Sequence, residues 1–384
     1  MSEPSFATDA PAYVDGMLAR AVRSGASDIH VEPIGGGVEV RFRVDGVLEA
    51  VEKLPADVGR SVALRLMVMA QLLTYRLEIP QEGRIRWEMP GTAAPSVGGA
   101  ISPTGGGDAT APRPLDLRLA VMPVAYGVRA VVRLPAELTQ PRRLADLGLP
   151  PRCLEALEGF ARGTGTSGTG EGGMLLVTGP AGSGKTTTIY ALLEYIARTS
   201  AGLSIISLED PIERLVEGIT QIEVTPHGQL TYERALKSIL RQDPQVLMLG
   251  EIRDAATASV AVQAALSGHR LIATMHAGEP ATALARLLEM GVEPYQVTSS
   301  IYGVLTQRLV RRKHGGGYKG RVPLAEFGRL NARVSKAVLA RADAGILRDI
   351  FHGQPEHVTL RKVAESLVSQ GVTDEAEIRR VLGD

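Results

Sequence analysis

The residues best spaced to do chemistry are Gly179-Pro180-Ala181-Gly182-Ser183-Gly184-Lys185-Thr186, which satisfy G-x-x-x-x-G-K-[ST] at every required position. Gly179, Gly182 and Gly184 let the backbone turn tightly and aim N–H groups at phosphate oxygens. Lys185 is spaced to reach the β- and γ-phosphates of ATP, the Thr186 hydroxyl to ligate Mg²⁺, and Thr187 completes the nucleotide-contacting run. Acids follow. Glu209-Asp210 closes the run Ser207-Leu208 and precedes Pro211-Ile212-Glu213. Two adjacent carboxylates at a strand end can activate water or hold a metal's water shell. Taken alone, Asp210-Pro211 reads equally as a turn with solvated acids. Glu251 follows the apolar run Val246 to Leu249 and Gly250, which is how phosphate-loop enzymes bring a carboxylate beside Mg²⁺; alone it would also suit a helix start. His269 and His276 flank Arg270 to Thr274, and a histidine at a strand end can donate to phosphate or serve structure.

These side chains need a scaffold that gathers strand ends. Apolar strands are expected at Met174–Thr178, Ser204–Leu208, Val246–Leu249 and Arg270–Thr274, alternating with helices at Thr186–Arg198, Tyr232–Arg241 and Ala255–Leu266. That alternation predicts a parallel sheet with helices on both faces, whose ligands bind beyond the carboxyl ends of the strands. Upstream, the pattern is mixed α/β. Val38, Val40, Phe42 and Val44 alternate with charged residues, Asp45-Gly46 favours a hairpin turn, and Val47–Val51 returns as its partner. Helices are expected at Tyr13–Arg23 and Ser61–Leu73, and strands at Leu115–Val121 and Val128–Leu134 around Tyr126-Gly127. Pro90–Pro114 and Ala161–Gly173 are rich in Gly, Thr, Ser and Ala; the first is expected to be a mobile surface loop.

A chain of 384 residues exceeds one ordinary core, so two domains are expected, 1–138 and 139–384, with a boundary near Pro135–Pro141. Lys plus Arg and Asp plus Glu both total 42. The absent basic surplus weighs against a nucleic-acid partner. Cys153 is the single cysteine, which excludes a disulfide framework and a cysteine zinc site. Met1–Tyr13 lacks the pattern of a secretory signal, and no apolar run is long enough to span a bilayer. A cytoplasmic protein is expected.

Taken together, the segments resemble the motor ATPases of type II secretion and type IV pilus systems, the GspE, PilB and PilT group. The phosphate loop, an "Asp box" at Ile206–Glu213, Leu240-Arg241-Gln242-Asp243-Pro244 through Asp254, and a "His box" at Ser267–His276 carry the resemblance. Ala26-Ser27-Asp28-Ile29-His30-Val31-Glu32-Pro33 and Arg41–Gly46 look like the group's PAS-like N-terminal domain. The resemblance implies a RecA-like P-loop ATPase domain with C-terminal helices, preceded by that smaller domain. It further implies a homo-hexameric ring hydrolysing ATP with Mg²⁺ to power pilin or pseudopilin assembly. Such a ring works at the cytoplasmic face of the inner membrane, associated peripherally through a platform protein. By the same resemblance, Glu209 activates water, Thr186 and Glu251 act at Mg²⁺, and Arg84 and Arg118 supply phosphoryl-stabilising charge. Read without it, those arginines equally suit surface salt bridges. The group's four-cysteine zinc module is absent between His276 and the C-terminal residues, so no zinc is expected. A retraction motor and a DNA-transfer or translocase ATPase of the same superfamily remain alternatives.

Overall fold

The computed structural model describes residues 9–89, 115–135, 143–163, 172–200, 202–224 and 230–383. The loop expected at 90–114 lies outside them, as do residues 164–171 of the second Gly-rich stretch. The chain divides into two units, 1–140 and 141–384.

The first unit is built from α1 (Ala10–Arg23), β1 (Ala26–Ile34), β2 (Gly37–Val44), β3 (Val47–Leu54), α2 (Ala56–Met69), β4 (Gln81–Trp87), β5 (Leu115–Val124) and β6 (Gly127–Arg133). Its sheet is antiparallel throughout, in the order β3-β2-β1-β6-β5-β4. Asp45 and Gly46 have φ of 50° and 84°, the double positive that a two-residue hairpin turn of this hand requires. Alternation along the strands sends Ile29, Val31, Val40, Ile85, Leu117 and Val132 into one core with Met17 and Leu66 of the helices. The period-two pleat sends the residues between them to the opposite face. Helix α2 starts and ends earlier than the Ser61–Leu73 expected. Its stop has a local cause: Gln71 adopts φ 58°, and the Leu73 N–H donates to the Gln81 side chain instead of a helical carbonyl.

The second unit contains α3 (Pro151–Ala161), β7 (Gly173–Thr178), α4 (Lys185–Thr199), β8 (Ile205–Glu209), β9 (Thr220–Glu223), α5 (Tyr232–Ile239), β10 (Val246–Leu249), α6 (Ala255–Leu266) and β11 (Arg270–Met275). Then come α7 (Pro280–Glu289), α8 (Pro294–Ser300), β12 (Ile301–His314), β13 (Gly317–Arg329), α9 (Ala332–Leu339), α10 (Ala344–His352), α11 (Leu360–Ser369) and α12 (Glu375–Leu382). The sheet order is β13-β12-β7-β11-β10-β8-β9, parallel from β12 to β9 with β13 antiparallel at the edge. Every side chain of β7 is buried, because the two faces of the strand enter different cores. Met174 and Leu176 meet residues of α5, α6 and α7; Leu175 and Val177 meet α3 and α4. Continuous apolar strands are the signature of a sheet covered on both faces. With β11 inserted between β7 and β10, the carboxyl ends Thr178, Met275, Leu249 and Glu209 fall side by side.

The long β12–β13 hairpin was not among the expected elements. Residues 301–306 of β12 pair with β7, and its outer half runs on beside β13 alone. There Val310, Val322 and Leu324 form a small separate core with Leu360, Val363, Ala364 and Ile378 of α11 and α12. Among the described residues no helix is long and apolar enough to cross a membrane.

Candidate nucleotide site

The phosphate loop joins the end of β7 to α4, whose N-terminus begins at Lys185. Gly179, Gly182 and Gly184 have φ of 144°, 73° and 89°, a region L side chains rarely adopt. Space adds a second requirement. A Cβ on Gly179 would stand 2.4 Å from the Gln307 carbonyl oxygen, and one on Gly184 would stand 2.7 Å from the Gln307 amide nitrogen. Gln307 in turn accepts from Thr188 Oγ1 at 2.8 Å. The loop is therefore braced from beneath by β12, with Thr178 and Thr306 hydroxyls in contact at 2.8 Å. At Gly182 an added Cβ would meet nothing within 4 Å, so the cradle is open on its outer side. Ser183 Oγ is buried with no hydrogen-bond partner among the described residues. A positive helix end, a glycine-turned loop and an orphan hydroxyl fit a polyphosphate.

Lys185 folds back over the loop, its Nζ donating to the carbonyl oxygens of Gly179 and Pro180, both at 2.9 Å. Its pKa lies below the usual ammonium range because burial, aided by Arg308, outweighs the attraction of Glu251. Glu251 follows β10 and is largely buried. Its Oε1 lies 2.9 Å from His276 Nε2, and its other oxygen accepts from Arg253 Nε. Gly250 fits closely here: a Cβ would stand 2.6 Å from the Tyr232 hydroxyl and 3.1 Å from the Leu208 carbonyl oxygen. Thr186, in the first turn of α4, and Glu251 are the residues that fit Mg²⁺: a hydroxyl and a carboxylate, hard oxygen donors, near the lysine that reaches the phosphates.

Two of the anticipated residues, Glu209 and His269, stand differently from the expectation. Glu209 ends β8 but is only 3% exposed. Its carboxylate accepts from Ser207 Oγ at 2.6 Å, from Gln221 Nε2 at 3.0 Å and from the Tyr190 hydroxyl. Three donors occupy it, and it faces the interior. Burial and that Glu209 bond push the Tyr190 hydroxyl far above its ordinary pKa. His269 precedes β11, and its backbone carbonyl accepts from Gly173 N. A six-residue strand separates it from His276, roughly 20 Å at the usual rise, so the sheet's amino end holds His269 and only His276 reaches the site. The His269 ring is engaged locally, with Nδ1 2.9 Å from the Ala264 carbonyl oxygen. Arg84 and Arg118 belong to the first unit, where they are Cα partners on β4 and β5. Both are exposed, and neither makes an ion pair among the described residues. They continue a cross-strand row through Arg133, Asp28 and Arg43, in which Asp28 carries the ion pairs with Arg133 at 3.1 Å and Arg43 at 3.4 Å. They also line, with Glu82 and Arg133, a cavity of about 530 Å³.

Tyr190, Ser207, Gln221, Tyr232, Gln307 and Arg308 were missed by sequence reasoning. Tyr190 reads as an ordinary core position of an amphipathic helix. Gln307-Arg308, polar residues in the middle of β12 after its buried stretch 301–306, offered a signal like that used for Glu209 and Glu251.

The fold and the loop define a P-loop nucleotide-binding protein of RecA-like arrangement. The profile of the family described as Type II/IV secretion system protein matches residues 8–100 and 108–380, and the chain belongs to that family. Type II secretion system protein HxcR of Pseudomonas aeruginosa is 36% identical over 392 residues, covering 97% of this chain and 77% of HxcR. Type IV pilus assembly ATPase PilB of Thermus thermophilus is 38% identical over 300 residues, covering 78% of this chain and 30% of PilB. The X-ray structure of the Legionella pneumophila ATPase DotB has the same fold, with a TM-score of 0.73 at 20% identity, covering 99% of this chain and 97% of that one.

Proposed function

We propose that the chain is the ATP-hydrolysing motor of a type II secretion or type IV pilus assembly system. It works as a homo-hexameric ring on an inner-membrane platform protein, at the cytoplasmic face. The observation that carries this reading is the meeting of Lys185, Glu251 and His276 beside an open phosphate loop, in a chain of the secretion family. Resemblance to PilB and to type II secretion proteins favours assembly over retraction.

In this reading Lys185 exchanges its two loop carbonyls for phosphate oxygens, and the loop N–H groups hold the rest of the chain of phosphates. Thr186 and Glu251 hold Mg²⁺, which supplies positive charge against the phosphates. Glu251, oriented by Arg253 and His276, also orients the attacking water, a role the resemblance had implied for Glu209. Arg84 and Arg118 supply charge that stabilises the phosphoryl group in flight. Release of product frees the first unit, the proposed PAS-like domain, to move.

Phosphate release by the full chain with Mg-ATP is the test. Lys185→Ala and Glu251→Gln are each expected to lower turnover about a hundredfold or more. Wild-type rates in both would remove the site assignment.

A further inference from the structure

Outside the nucleotide site, one group of side chains has the composition of a metal centre. Glu326 of β13, His352 at the end of α10 and His357 before α11 each present a ligand atom, and the three atoms lie within 4.8 Å of one another. Among the described residues it is the only such group of three. We propose that Glu326, His352 and His357 bind a divalent transition metal of the zinc class.

The placement is built rather than incidental. Glu326 and His357 are buried, at 4% and 5% exposure, with His357 Nε2 2.8 Å from Glu326 Oε1. The second Glu326 oxygen accepts from the Leu360 backbone N–H at 2.9 Å, which fixes the plane of the carboxylate as outer-shell partners of metal ligands do. The His357 ring packs beside those of Phe351 and His352, its centroid 5.7 and 5.8 Å from theirs. Yet this buried ring keeps Nδ1 without a hydrogen-bond partner among the described residues. Most buried side-chain nitrogens are hydrogen-bonded, so this ring is not fully accounted for by its contact with Glu326. His352 is exposed, so its side chain is free to close the last ångström or so toward the other two.

Two imidazoles and a carboxylate are a donor set that zinc accepts, leaving a fourth position for water. Glu326 and His352 also line a cavity of about 290 Å³ with Arg308, Thr359 and Arg361, which supplies room for that ligand. Among the described residues no lysine or arginine forms an ion pair with Glu326; its ion-pair partner is His357 itself. The proposal revises the expectation of no zinc, which rested on the missing cysteine module and did not consider histidine donors. It is independent of the proposed motor activity. A bound ion would tie β13 to the segment joining α10 and α11.

Full-length protein, stripped with chelator and titrated with Zn²⁺ against a chromophoric competitor, is expected to take up one equivalent. His352→Ala, altering an exposed side chain, is expected to weaken that uptake at least tenfold while preserving the circular dichroism spectrum. His352→Gln serves as the second variant. His276→Ala is the control for metal captured by the Glu251–His276 pair, and is expected to retain the equivalent. Co²⁺ is expected to give the visible absorption of a four-coordinate site in wild type and His276→Ala, and not in His352→Ala. Absence of saturable uptake in wild type, uptake unchanged in both His352 variants, or uptake lost only with His276→Ala would each overturn the site.

Discussion

Glu209 and Glu251 extend neighbouring strands, β8 and β10, and sit in different chemical settings. Glu209 is saturated by neutral donors, while Glu251 has two cationic or ionisable partners, Arg253 and His276, and lies near Lys185. Removing the Tyr190 hydroxyl leaves the buried Glu209 carboxylate with one donor fewer. Tyr190→Phe is therefore expected to cost about 1.5–3 kcal/mol, seen as a lowered melting temperature with nucleotide affinity unchanged. Glu209→Gln is expected to lose less ATP turnover than Glu251→Gln, and the opposite order in steady-state phosphate release would return water orientation to Glu209. The two acids were legible as a pair in the sequence, because an acid after an apolar strand is a local pattern. Their difference was not legible. It depends on Tyr190 of α4 and Gln221 of β9, which tertiary packing brings to Glu209 beside the local donor Ser207.

At the scale of elements, the strand–loop–helix around the phosphate loop was readable to within one residue at each shared boundary. Its apolar run, its glycines and its helix start are all local signals. The β12–β13 hairpin was opaque for the opposite reason. Its outer half is held by residues far along the chain, above all Glu377 of α12. The Glu377 side chain is buried, and it accepts from the Arg311 backbone N–H and guanidinium and from Arg380. Burial alone would raise its pKa, but Arg380 and Arg311 together bring it down from its usual 4.5 to about 2. A carboxylate depressed on folding contributes stability that is complete above its unfolded pKa and is lost as pH falls through the folded one. Wild type is thus expected to melt above Glu377→Gln at pH 6, with the gap closing between about pH 4.5 and pH 2. Melting curves of the two proteins across that range check it; a gap constant down to pH 2 would assign the difference to packing. The same hairpin carries Gln307 beneath the phosphate loop and Glu326 in the proposed metal site, so it links both sites to the C-terminal helices.

At the scale of the whole molecule, the two-unit organisation was suggested by length and composition, and the fold class by the alternation of elements. What no periodicity reports is the use made of the exposed arginine row on the first unit. At one end of it Arg84 and Arg118 make no ion pair among the described residues, while Arg133 and Arg43 are held by Asp28. Like charges on paired strands repel, and two adjacent unpaired guanidinium groups are stabilised by a polyanion. If that polyanion is ATP held on another chain, the site is complete only in an assembly. ATP turnover per chain is then expected to rise with protein concentration, in step with the mass measured by light scattering. A sharper consequence follows from the division of labour. Lys185→Ala lacks the loop cation but keeps the arginines, and Arg118→Ala keeps the loop but lacks one arginine. Each is expected to be nearly inactive alone, and assembling the two together is expected to restore measurable phosphate release at sites where an intact loop meets an intact arginine. If mixed assemblies form and stay as inactive as either parent, Arg118 serves only the nucleotide on its own chain.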